Sequence, residues 1–135
     1  GQVATRFTTR FDWALVLDTN GARAAAAFVN ERTSGDELVL LSPHVAWLYR
    51  ARSADFLQAV AATGEPIAFY PPGMSRSRFA FDPTPGTARF VVVDAFWRRW
   101  AEASPPLARL TRLVESWPEE LRVGEISVRR NPAQP

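Results

Sequence analysis

Cysteine and lysine are both missing from this chain, and histidine occurs once. Without cysteine there can be no disulfide, no thiolate nucleophile and no Cys-ligated zinc or iron–sulfur site. The compartment stays open, because many extracytoplasmic domains do without disulfides. Without lysine, all 16 basic residues are arginine, set against 14 acidic residues for a formal net charge of +2. Arginine stays charged far above neutral pH, so this small excess lifts the isoelectric point to about 9.9 without creating a strong field at pH 7. The high value is therefore no sign of a nucleic-acid partner, and none is expected. One histidine, no cysteine and no D-x-D pattern leave little from which to build a transition-metal or magnesium–phosphate site, so no metal is expected. No apolar run approaches the roughly 18–20 residues that span a bilayer, and no signal peptide is visible. Gly1 in place of an initiator methionine reads as the edge of a trimmed piece.

What remains is enough for one core. In 135 residues, 47% are hydrophobic, with nine Phe and five Trp, which is ample apolar surface to offset chain entropy in a domain of ordinary size. Residues 1–10 read as a lead-in, 11–131 as a single α/β domain and 132–135 as a tail. The apolar run 11–18 reads as a strand or extended segment. Asn20 is placed to cap a helix over roughly 21–33, with Ala22, Ala25, Ala26 and Val29 on one face. Glu37–Leu41 and Ala88–Asp94 are unalternated apolar runs, the pattern of strands buried on both faces of a parallel sheet. Val45–Tyr49 reads as a short helical segment, and Asp55 opens a helix that stops at Gly64. Pro66–Tyr70 reads as a short strand and 71–86 as a long irregular loop. Residues 95–117 read as helical with a break at Ser104-Pro105-Pro106, and the last apolar stretch as a hairpin about Gly124. The order of elements predicts a Rossmann-like three-layer α/β sandwich, with a mainly parallel sheet and a C-terminal antiparallel hairpin. Strand order is left open.

Ligands of open α/β sheets bind beyond the C-terminal ends of the strands. Three segments meet that criterion: Ser42-Pro43-His44, Tyr70–Gly73 and Asp94–Trp97. Ser42, His44 and Asp94 could face one crevice, but no G-x-S-x-G elbow is present and Ser42 lies two residues from His44, which argues against a Ser–His–Asp nucleophile. His44 capping or bonding a helix end is the plainer account. The first βα turn lacks G-x-G-x-x-G, so no dinucleotide or other cofactor is expected. On a helix, Phe96 and Trp100 share a face while Arg98 and Arg99 point elsewhere, which is ordinary amphipathic patterning, with docking against lipid headgroups or a membrane-embedded partner the sharper alternative. Arg76 and Arg78 in the long loop could hold a phosphate. Trp47, Tyr70, Trp97 and Trp100 could form an aromatic rim for sugar rings or a membrane face.

Three stretches carry a resemblance: AAAAFVNERTSGDELVLLSPHVAWL (24–48), ADFLQAV (54–60) and ARFVVVDAFW (88–97). Together they resemble the soluble C-terminal domain of bacterial GT-C membrane glycosyltransferases, of the dolichyl-phosphate-mannose–protein mannosyltransferase kind (glycosyltransferase family 39). The resemblance implies an extracytoplasmic domain joined to a transmembrane portion that holds the lipid-linked sugar donor and the catalytic carboxylate. No catalytic residue then falls in this chain. The domain would help bind acceptor or shape the active-site mouth, and its partners would be its own transmembrane portion and a sugar acceptor or lipid-phosphate head group. The alternatives are a stand-alone hydrolase-like enzyme built on His44 and Asp94, and a ligand-binding or interaction module without nucleotide.

Overall fold

The computed structural model describes residues 19–68, 70 and 81–134. The lead-in, the expected strand at 11–18, and Arg76 and Arg78 lie outside them. The first described element is helix α1 (Thr19–Asn30), which buries Gly21, Ala25, Ala26 and Val29. Asn20, expected to cap this helix, is itself helical. The far end is closed by Thr33, whose hydroxyl donates to the Val29 carbonyl at 2.8 Å and so satisfies one of the free acceptors there.

Strand β1 (Leu38–Leu41) follows, buried along its whole length. A 3-10 segment (Pro43–Leu48) leads to β2 (Arg52–Asp55) and helix α2 (Phe56–Ala62). After residues 63–84 and a single 3-10 turn come β3 (Ala88–Val93), α3 (Ala95–Ala103), α4 (Pro105–Glu115), β4 (Glu119–Val123) and β5 (Ile126–Arg130). The five strands form one mixed sheet in the order β2-β1-β3-β5-β4. The first three are parallel, β5 runs antiparallel to β3, and β4 closes the edge as the hairpin partner of β5. The hairpin turns at Gly124, where φ is 57°, a conformation that favours glycine.

Two expectations give way here. Arg52–Asp55 forms a strand that the sequence did not signal, since a mostly polar edge strand that buries only Ala54 has no apolar run to announce it. The described residues of Pro66–Tyr70 join no strand of the sheet: Ile67 and Tyr70 bridge to one another, with the Tyr70 N–H on the Ile67 carbonyl at 3.1 Å. Pro66 cannot donate to a ladder, and the place beside β1 belongs to β2.

Side-chain alternation divides the core between the two faces of the sheet. Leu38, Leu40, Val91 and Val93 pack with Phe56, Val60, Trp97, Leu107 and Val114 from α2, α3 and α4. Val39, Leu41, Phe90, Val92 and Val128 pack with Ala25, Ala26 and Val29 of α1 and Val45 of the 3-10 segment. The helix breaks follow local chemistry. Asp55 and Gln58 form a reciprocal capping box at the start of α2. Ser104 ends α3 and caps α4, whose first two residues, Pro105 and Pro106, occupy the one place where a missing N–H costs nothing. Within the expected tail Gln134 donates to the Gly86 carbonyl at 3.1 Å, and just before it buried Asn131 donates to the Ala88 carbonyl at 2.9 Å.

Candidate functional site

The parallel pairing of β1 and β3 sets the C-terminal ends of both strands side by side, so Ser42 and Asp94, the residues that follow them, meet. The Ser42 hydroxyl donates to Asp94 Oδ1 at 2.6 Å, and the Trp97 backbone N–H donates to the same oxygen at 2.9 Å. Asp94 is thus the N-cap of α3, an anion placed where the helix presents free N–H groups. Its other oxygen, Oδ2, lies 3.6 Å from His44 Nε2, close to but beyond ordinary hydrogen-bond distance. Ser42 is fully buried and Asp94 nearly so, whereas a third of the His44 side chain is exposed. The imidazole stands edge-on to Phe96, with ring centroids 4.9 Å apart. Tyr49 is also buried, and its hydroxyl is pushed well above the usual phenol range by burial first and by the Asp94 charge second.

The expected convergence of Ser42, His44 and Asp94 is therefore present, but its wiring is not that of a nucleophile. A triad needs the imidazole between hydroxyl and carboxylate, taking the proton from one and oriented by the other. Here hydroxyl and imidazole both address the carboxylate, and the hydroxyl proton is committed to it. No part of Ser42 is open to a substrate.

The other candidates separate. Trp97 was expected on an exposed rim. It is instead fully buried, with its ring 5.3 Å from Phe56 and its indole N–H on the Thr111 hydroxyl at 2.8 Å, so it belongs to the core. Trp100 is half-buried and also packs on Phe56. Tyr70 leans on the same core cluster, near Asp55 and Gln58. Trp47 is the candidate that does face outward, with 72% of its surface exposed. Its ring N–H donates to the His44 carbonyl at 3.1 Å, and the Arg23 guanidinium lies 5.7 Å from its centroid.

At the opposite, N-terminal end of the parallel strands is a cleft of about 310 Å³ that sequence reasoning did not find. Glu37, Arg52, Phe81, Asp82 and Arg89 are among its lining residues, drawn from segments far apart in the chain, so no local pattern marks it. Arg89 Nε is 3.5 Å from Glu37 Oε2, and the Arg52 guanidinium lies over the Phe81 ring at 5.8 Å. Among the described residues, no group of three or more His, Asp or Glu is placed to hold a metal, and no helix is long and apolar enough to cross a membrane. Compared with protein-family models, curated proteins and solved structures, the chain gives no match.

Proposed function

We propose that this chain is a non-catalytic, extracytoplasmic accessory domain of a polytopic membrane glycosyltransferase that uses a lipid-linked sugar donor. In this reading it contributes to acceptor binding or to the shape of the active-site mouth, and its first partner is the transmembrane portion of the same enzyme. The fold it would share with such domains is a Rossmann-like three-layer sandwich. The sequence resemblance at 24–48, 54–60 and 88–97 motivates the proposal. The observation that carries it is the binding of Ser42 and the α3 N-terminus to Asp94. This geometry turns the hydrolase-like constellation of Ser42, His44 and Asp94 into a structural brace, and so weakens the competing reading of a stand-alone enzyme.

The test is the coding sequence upstream of Gly1. A series of apolar spans of about 20 residues each supports the proposal, whereas a start codon at or near Gly1 rules it out. A complementary test addresses the rival enzyme directly: His44→Ala is compared with the unaltered chain on generic ester and phosphoester substrates. Turnover by the unaltered chain that His44→Ala abolishes would establish the hydrolase reading instead.

A further inference from the structure

We propose that the face built by α1 and the Pro43–Leu48 segment docks on an anionic phospholipid surface, with Trp47 as its anchor. The inference deepens the accessory-domain reading and takes from it only the presence of a membrane nearby.

Trp47 is one of two large hydrophobic side chains exposed among the described residues; the other is Leu113, on α4 against the opposite face of the sheet. Burying an indole is worth several times the burial of a methylene, so a monomer that leaves 72% of one in water forgoes much stabilisation. The exposed ring is also held in place. In a 3-10 helix residues i and i+3 eclipse, which sets Trp47 over His44 while Val45, between them, turns into the core. The bond to the His44 carbonyl and the Arg23 guanidinium fix it there.

The segments that carry it are basic: neither 19–30 nor 38–54 contains an acidic residue, and Glu31, exposed just past α1, is paired with Arg32 at 3.5 Å. Arg23 lies against the ring. Arg50 is tied to the end of α1, where its guanidinium donates to the Asn30 carbonyl and its N–H to Asn30 Oδ1, while Asn30 Nδ2 donates to the Leu48 carbonyl. Arg52, at the start of β2, is turned toward Phe81 and takes no part. Asp94, which lies 3.6 Å from His44, is buried and satisfied. Arginines flanking an aromatic anchor fit a phosphate-bearing interface, where indoles reside at headgroup depth and guanidiniums bind phosphate oxygens. A sugar ring could stack on the indole, but its hydroxyls would find donors here and few acceptors, so headgroups are favoured.

The purified chain is mixed with vesicles of phosphatidylcholine alone or of phosphatidylcholine with phosphatidylglycerol. Binding is followed by co-sedimentation and by tryptophan quenching with brominated lipid. Partition into the phosphatidylglycerol vesicles is expected to exceed that into neutral ones and to weaken as salt is raised. Trp47→Ala should lower partition about tenfold or more and remove most of the quenching. Arg23→Gln should lower it roughly fivefold, and Leu113→Ala should bind as the unaltered chain does. No partition, equal binding to both vesicles, or full binding by Trp47→Ala would overturn the proposal. So would a Trp47 indole N–H NMR signal that shifts with soluble oligosaccharide while vesicles have no effect. Failure of docking leaves the accessory-domain reading to the upstream sequence. Docking without upstream membrane spans would leave a peripheral membrane-binding domain.

Discussion

Replacing Asp94 with alanine tests whether its carboxylate is the brace that the geometry describes. Three interactions are removed together. The N-cap of α3 is lost, which in helices costs about 1 kcal/mol. The Ser42 hydroxyl, fully buried and 2.6 Å from Oδ1, loses its acceptor, and leaving such a group unsatisfied costs roughly 1–3 kcal/mol. The approach of His44 to Oδ2 at 3.6 Å adds little, because the geometry is long and the imidazole is partly in water. The sum is roughly 3 kcal/mol, a loss of about 10 °C in Tm for a domain of this size. Urea unfolding followed by far-ultraviolet circular dichroism would measure it. Asp94→Asn, which keeps a good cap and an acceptor for Ser42, should lose clearly less. In a double-mutant cycle Ser42→Ala and Asp94→Ala should couple by about 1 kcal/mol or more. A loss below about 1 kcal/mol for Asp94→Ala, or strictly additive single substitutions, would refute the brace and reopen a functional role for the carboxylate.

Three further outcomes follow from the same structure. Trp97→Phe removes the bond to Thr111 and leaves a void beside Phe56, and should cost about 2–3 kcal/mol in the same unfolding assay. Tyr49 holds its proton more tightly when folded, so its contribution is intact below the ordinary phenol pKa and is lost as pH rises from about 10. Tyr49→Phe should accordingly flatten the alkaline limb of a stability–pH profile, and an unchanged limb would contradict the buried hydroxyl. Burial likewise raises Asp55 against the opposing bonds from the Gln58 and Leu57 N–H groups. Its contribution is then present below the unfolded value of about 4 and lost as pH rises through the folded one. The unaltered chain should therefore gain stability relative to Asp55→Asn, which keeps the cap, as pH falls from about 7 to 4.

Much of this fold is written in short stretches of sequence. Leu38–Leu41 and Ala88–Val93 are apolar without alternation, and such runs are stable as strands only where both faces are covered. Asp55, Gly64, Ser104-Pro105-Pro106 and Gly124 mark their helix ends and turn because capping and positive φ are decided within a few residues. What depended on distant neighbours was not legible. Arg52–Asp55 is a strand because β1 offers it an edge, whereas Ile67 bridges Tyr70 instead of a strand of the sheet. Trp97 and Trp47 look alike as aromatic residues on helical segments. Only the packing of α3 and α4 against the sheet buries the first, and only the short reach of a single 3-10 segment leaves the second in water. Ser42, His44 and Asp94 could be named from sequence as residues at strand ends. Whether hydroxyl and imidazole address each other or a shared carboxylate depends on the register of β1 against β3. That register is settled by the core on both faces of the sheet.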